Sequence, residues 1–255
     1  MDEQRIWLLS GTGEGPPLAA ELLGRGWQLR VSVVSSAAAR AYSAHPNLEL
    51  QVGALGDEAG VKKALAQWPC RWVIDAAHPF ARSIHPAVAK ACAALGQPLL
   101  RLQRPMFTSP GATVLAGLEK LATLPLEQDS LLLALGAREL AAALRYSRAR
   151  EHAVRLLPSA TALGQALQLG LPTERIACLR PQTNSSIEGS VEAGLCRRWG
   201  ITAVLARQSG GPPEQQWHQI CQAMGLKLLL LARPENHDLH GLELEALLAR
   251  LGWPS

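Results

Sequence analysis

Short apolar runs recur along the chain at 6–9, 29–34, 48–52, 72–74 and 99–102, and each predicts a buried strand. Between them, 17–25, 37–44, 57–67 and 81–95 carry apolar positions three and four residues apart, the spacing that gives a helix one buried face. Gly96 closes the last of these as a C-cap, because glycine enters the left-handed conformation without a steric penalty. Strand and helix therefore alternate, which predicts a parallel sheet wrapped by helices.

The period fails at 104–113, RPMFTSPGAT, where two prolines, a glycine and small polar residues break it. It resumes with strands expected at 131–135, 153–157, 175–179, 203–206 and 228–232. Helices are expected near 137–145, 160–168, 185–199 and 213–224, and a last one at 239–251. The expected organisation is two α/β halves of similar architecture, 1–104 and 105–255, joined end to end.

The 255 residues are 48% hydrophobic and 18% charged, with 22 glycines and 17 prolines, which excludes disorder, collagen and coiled coil as whole-chain descriptions. Only 4% are aromatic, so the core must be built from Leu, Ala and Val, and rings for stacking on bases are scarce. A net charge of +4 is too mild and too dispersed for a nucleic-acid arm and suits an anionic small molecule. The five cysteines, at 70, 92, 178, 196 and 221, form no CxxC pair and read as core thiols in a reducing compartment. The amino-terminal segment runs straight into the first strand, and no stretch of 18 apolar residues occurs. The expectation is a cytoplasmic protein with no membrane or nucleic-acid partner, a monomer or weak homo-oligomer.

The turn after the first strand reads Ser10, Gly11, Thr12, Gly13, with Gly15 ahead of a helix opening at Pro16 or Pro17. Glycines there let the backbone approach a phosphate, and the N–H groups of a helix start favour an anion. The G-x-G-x-G spacing departs from the dinucleotide fingerprint, and a turn without ligand is the alternative. After the second strand come Ser35, Ser36, three alanines and Arg40, with no carboxylate to meet ribose hydroxyls. Hydroxyls and a guanidinium suit a 2′-phosphate, so the expected cofactor is NADPH, with NADH as the alternative. The plainer account makes Ser36 a helix N-cap and Arg40 a solvated surface residue.

Asp75 ends the fourth strand, with His78 and Pro79 in the following loop, at the carboxyl end where open parallel sheets bind ligands. A capping carboxylate and a hydrogen-bonded loop histidine are the alternatives, and His85-Pro86 is assigned a structural role. In the second half, Leu135-Gly136-Ala137-Arg138 and Arg207-Gln208-Ser209-Gly210-Gly211 each follow a strand. Arg138, Arg207, Ser209, Gly210 and Gly211 are the expected contacts to a carboxylate-rich ligand, unless these loops are ordinary turns. His237 and His240 form an HxxH with no third ligand near, so no metal site is expected. A serine-hydrolase elbow, a Walker loop and a zinc-peptidase helix are absent from the sequence.

Taken in order, SGTGE, SSAAAR, IDAAHPFA, RLQRP at 101–105, SGG at 209–211 and RP at 233–234 resemble the precorrin-6A reductase family of corrin-ring (cobalamin) biosynthesis. The resemblance spans nearly the whole chain, and D-A-x-H-P-F-A is its most specific element. It implies hydride transfer from NAD(P)H to the macrocycle of precorrin-6A, or of its cobalt-containing equivalent, giving the 6B form. It also implies an α/β fold of two Rossmann-like domains, each a mostly parallel sheet flanked by helices. Residues 1–104 would bind the cofactor and 105–255 would form the substrate side of a cleft. By position, Gly11, Thr12 and Gly13 would approach the cofactor phosphates, Ser36 and Arg40 the 2′-phosphate, and Asp75, His78 and Pro79 the nicotinamide. Ser10 and Ser35 join the cofactor set, Asp75 and His78 are the catalytic candidates, and solvent is the alternative to His78 as proton donor.

Several positions depart from the family pattern: Ala77 for Thr, Ala39 for Gly, Ala134-Leu135 for a Thr pair, and Arg207-Gln208 for Lys-Asp or Lys-Asn. Arg180-Pro181-Gln182 also replaces a GPF-like triplet. The changes cluster in the second half, where they bear on substrate more than cofactor. A Rossmann-type reductase of another substrate, or a nucleotide-binding protein without turnover, are the competing expectations.

Overall fold

The computed structural model describes residues 3–11, 13–180, 190–234 and 241–254. The first sheet is built from β1 (Arg5–Ser10), β2 (Gln28–Val33), β3 (Leu48–Val52), β4 (Trp72–Ala76) and β5 (Leu99–Arg101). All its pairings are parallel, and the strand order is β3-β2-β1-β4-β5. Helices α1 (Gly15–Gly24), α2 (Ser36–Ala39), α3 (Glu58–Gln67) and α4 (Ile84–Leu95) connect the strands. The order reverses between β1 and β4, and such a reversal opens a crevice at the strand carboxyl ends.

Alternation along β1 divides its core between two faces. Ile6 and Leu8 pack with Leu18, Leu22 and Trp27, whereas Trp7 and Leu9 pack with Val61, Leu65, Val88 and Cys92. The buried Trp7 indole N–H needs an acceptor and donates to Ser32 Oγ at 2.8 Å.

The second sheet comprises β6 (Thr113–Leu115), β7 (Ser130–Ala134), β8 (Glu151–Leu156), β9 (Ile176–Cys178), β10 (Ala203–Arg207) and β11 (Lys227–Leu231). Its order is β6-β11-β10-β7-β8-β9, again all parallel. Apart from β6 at the edge, this repeats the winding of the first sheet, with the reversal between β7 and β10. Helices α5 (Ala137–Tyr146), α6 (Ala160–Gln168), α7 (Val191–Arg198) and α8 (Pro212–Met224) complete it, and α9 (Leu244–Leu251) follows.

The chain forms two compact units, Met1–Pro105 with Pro234–Ser255, and Met106–Arg233. The carboxyl-terminal segment, expected in the second half, thus belongs to the first unit. Leu247 and Leu251 of α9 join the core around Leu22 and Trp27. The expected helix at 239–251 starts later, at Leu244, because Leu242 instead makes an isolated parallel bridge to Leu102. Leu242 N–H donates to the Arg101 carbonyl at 2.8 Å, and Gln103 N–H donates to the Leu242 carbonyl at 2.8 Å. Gly241 permits this approach, since a Cβ there would stand 2.6 Å from that of Gln103.

Other expectations shift for local reasons. Residues 40–44 leave the helix, so that Tyr42 reaches Ser10, and 81–83 stay outside α4, after a turn over 78–81 closed by Ala81 N–H on the His78 carbonyl at 2.7 Å. Helix α7 starts at Val191 with Ser190 as its cap, and positions 185–189 of the expected helix lie outside the described residues. The expected cofactor residue Thr12, and Pro181, Gln182, His237 and His240, also lie outside them. Cys178 is exposed at the end of β9 and is not a core thiol. The other four cysteines are buried, and burial pushes Cys92, Cys196 and Cys221 up to about 12 and Cys70 up to about 11.

Candidate functional site

At the carboxyl end of β1, Ser10 is buried and its Oγ accepts the Tyr42 hydroxyl at 2.8 Å. Helix α1 begins directly against this pair, and only a glycine fits. A Cβ on Gly15 would sit 1.8 Å from Ser10 Oγ and 2.4 Å from the Tyr42 oxygen. Over Gly11 and Gly13 the space is open, with nothing within 4 Å of where a Cβ would be. This open turn can take a phosphate. Its donors are loop N–H groups rather than the usual helix start, because Pro16 and Pro17 carry none and Leu18 N–H is bound to the Glu14 carbonyl at 3.1 Å. The Glu14 carboxylate at the helix start is offset by Arg104, 2.8 Å away.

At the end of β2 the N-cap is Ser35, whose Oγ accepts Ala38 N–H at 3.2 Å. Ser36 is therefore the first helical residue and not the cap, and both it and Arg40 are exposed. The structure thus places a hydroxyl and a guanidinium on the surface beside the second strand, with no acidic residue between 34 and 40.

The end of β4 holds the most tightly organised polar group. Asp75 is 1% exposed. Its Oδ2 accepts His85 Nδ1 at 2.6 Å and Arg101 Nε and Nη2 at 3.3 and 3.2 Å, while Oδ1 accepts Ala77 N–H at 3.2 Å. Burial by itself raises a carboxyl, but here the hydrogen bond and charge of His85, then Arg101 and the Ala77 N–H, hold Asp75 below its ordinary range. The carboxylate is ionised and enclosed, which suits positioning rather than proton donation. His85 Nε2 lies 3.0 Å from the His78 carbonyl, so both ring nitrogens face oxygens that only accept. The ring satisfies both with a proton on each nitrogen. In the loop, His78 Nδ1 accepts Phe80 N–H at 3.2 Å, which leaves the proton of the neutral ring on Nε2. His78 and Pro79 are half-buried.

In the second unit Gly136 has φ 108, and the Arg207 guanidinium lies over it, 3.2 Å from where a Cβ would stand. Arg207 is also paired with Glu139. Ser209, Gly210 and Gly211 sit in a buried turn. Gly210 N–H donates to the buried Glu214 carboxylate at 2.5 Å, and Glu214 meets His218 Nε2 at 3.4 Å. His218 Nδ1 in turn lies 2.5 Å from Ser109 Oγ. Of the expected substrate residues, only Arg138 is exposed. Among the described residues no group of His, Cys, Asp or Glu could hold a metal ion, and no helix is long and apolar enough to cross a membrane.

Sequence reasoning brought Asp75 and His78 to one strand end and gave His85 a structural role, but did not connect His85 or Arg101 with Asp75. The histidine is ten positions from Asp75 and the arginine twenty-six, so neither shares a local pattern with it. The available signal was a polar residue ending β5, the strand beside β4. Glu214 was missed too, although its place three residues past the Gly211 N-cap allows the reach back that capping glutamates make.

Two parallel sheets of matching winding, with glycine turns at the carboxyl ends of β1, β7 and β10, define an α/β protein of two Rossmann-like domains. The family model described as Precorrin-6x reductase CbiJ/CobK matches residues 5–251. A cobalt-precorrin-6A reductase of Synechocystis sp. is 30% identical over 240 residues, covering 91% of this chain and 89% of its own. A precorrin-6A reductase of Mycobacterium tuberculosis is 30% identical over 234 residues, covering 90% of this chain and 89% of its own. The solved structure of a CobK precorrin-6A reductase superposes with a TM-score of 0.77 at 26% identity, covering 99% of each chain. The chain belongs to the precorrin-6x reductase CbiJ/CobK family, and is a reductase of cobalamin biosynthesis. Reductases of this family work with a nicotinamide cofactor on a tetrapyrrole.

Proposed function

We propose that this protein reduces the precorrin-6A macrocycle, metal-free or cobalt-containing, to the 6B form in the cytoplasm, with NADPH as its cofactor. The observation that carries the cofactor assignment is the end of β2, where Ser36 and Arg40 are exposed and no carboxylate competes for a 2′-phosphate. The open turn at Gly11 and Gly13 offers room for the pyrophosphate. When bound, NADPH supplies the hydride, and the ring must also take up one proton.

The chain's own groups do the rest. Asp75, gripped by His85 and Arg101, fixes the end of β4, and the His85 bond to the His78 carbonyl carries that order into the His78-Pro79 loop. His78 is the side chain of suitable type to donate it, acting as the imidazolium once Nδ1 takes a proton in place of the Phe80 N–H, and solvent is the alternative donor. The first unit is assigned the cofactor. Arg138, with the Arg207 and Ser209-Gly210-Gly211 turns, is assigned to the carboxylate-rich substrate. Orientation and exclusion of water supply most of the rate in such a transfer.

The test follows cofactor absorbance and the macrocycle spectrum together, with precorrin-6A or its cobalt complex and with NADPH or NADH. Coupled changes with NADPH support the proposal and identify the preferred ring. NADH used equally well removes the 2′-phosphate assignment, and no turnover of either ring refutes the substrate.

A further inference from the structure

We propose that a pocket in the first unit, formed by Arg82, His85 and Arg101 with Pro79, Pro86 and Pro234, binds a carboxylate on the rim of the tetrapyrrole. Here Arg82 and Arg101 are substrate-positioning residues on the unit otherwise assigned to the cofactor. The proposal rests on the reductase reading above and deepens it.

The charge of the pocket comes first. Arg82, Arg101 and the doubly protonated His85 ring are three positive groups. Among the described residues, the Asp75 carboxylate is the one acidic group that pairs with Arg101 and His85. Its hydrogen bonds take Arg101 Nε and Nη2, leaving Nη1 outside that pair. Both His85 nitrogens are taken by Asp75 and the His78 carbonyl, so this ring gives the pocket charge rather than a hydrogen bond. Arg82 is exposed and enters no ion pair among the described residues. Three cations around a single enclosed carboxylate leave an excess of positive charge, and guanidinium groups at such a place recognise a planar oxyanion. The proline rings add apolar wall beside these cations.

Sheet position selects the source of the oxyanion. A dinucleotide laid along the carboxyl edge meets β2 with its ribose phosphate and β1 with its pyrophosphate, and its nicotinamide reaches β4. Arg101 ends β5, on the far side of β4 from β1. The pocket is therefore beyond the nicotinamide end, where the hydride acceptor belongs. Precorrins carry acetate and propionate groups around the ring, and one of these is the oxyanion at hand.

The test compares wild type with Arg82→Ala, an exposed substitution, and with Arg101→Lys, which keeps a cation against Asp75. Absorbance titration with uroporphyrin, a stable polycarboxylate tetrapyrrole, and fluorescence titration with NADPH measure binding without turnover. Steady-state KM and kcat with precorrin-6A add the reaction. Arg82→Ala is expected to weaken uroporphyrin binding and raise the precorrin-6A KM by about tenfold, with kcat and NADPH affinity little changed. Arg101→Lys should do the same while staying folded in a melting scan, because the planar guanidinium is lost and the charge against Asp75 is kept. Unchanged macrocycle binding and KM in Arg82→Ala overturn the proposal, as does a loss confined to NADPH, which would make this a cofactor-phosphate pocket. Wild type that turns over precorrin-6A beside an indifferent Arg82→Ala refutes the pocket alone. Wild type that binds uroporphyrin through Arg82 without reducing precorrin-6A refutes the proposed reaction and retains the pocket.

Discussion

Asp75 shows how one buried carboxylate sets the chemistry of a strand end. It is stabilised as an anion by partners that would themselves be stranded without it. Asp75→Asn should therefore cost about 3 kcal/mol, read from urea unfolding, since Arg101 keeps its charge with no carboxylate left against it. Because the folded carboxyl titrates below its ordinary value, its contribution is fully present above that value, near 3.8, and is lost as pH falls through the lower folded value. Wild type should lose stability over that acid range, and the Asn variant should lack that component. Arg40 acts on binding instead. Arg40→Ala should raise the KM for NADPH roughly tenfold and leave that for NADH nearly unchanged, the loss of one charge-assisted contact. Equal effects on both would remove the 2′-phosphate role.

Among elements, the caps explain where helices begin. Asp57 Oδ1 accepts Gly60 N–H at 3.1 Å and starts α3, whose Val61 and Leu65 are buried against the sheet. Asp57→Ala should lower stability by about 1 kcal/mol in denaturant titration without altering cofactor affinity. Caps were legible only in part. Gly96 adopts the left-handed conformation its place after α4 predicted, with φ 62, whereas Ser35 rather than Ser36 caps α2, a choice made by backbone direction at the strand end. Strand β6 was missed because Thr113-Val114-Leu115 is short and only Leu115 is buried, so no apolar run marks it. Strands β1 and β10 were visible because both faces are apolar, whereas β3 was visible from its apolar residues but is not the buried strand expected, since none of its residues is buried.

For the whole molecule, the decisive fact is that the carboxyl-terminal segment belongs to the first unit. Leu247 is fully buried beside Leu22 and Trp27, so Leu247→Ala should cost about 2–5 kcal/mol. Because the chain forms two compact units, this loss should appear in the transition reported by Trp27 and leave the second unit's melting unchanged. A single shifted transition across all probes would instead show that the two units unfold together. The family and the reductase activity were legible from motifs that sit in loops, since ligand-contacting backbone needs particular residues at particular places.

The sequence alone determined the alternation of strand and helix, the parallel sheets and the glycine turns. These follow from local rules: apolar period, the special freedom of glycine and the missing N–H of proline. Tertiary structure decided what those rules do not reach. It brought His85 and Arg101 onto Asp75, set Glu214 against Gly210, buried the Ser209-Gly210-Gly211 turn and returned α9 to the first core. Such pairings depend on which strands become neighbours, and strand order is fixed by packing the whole chain rather than by the residues on either side of each group.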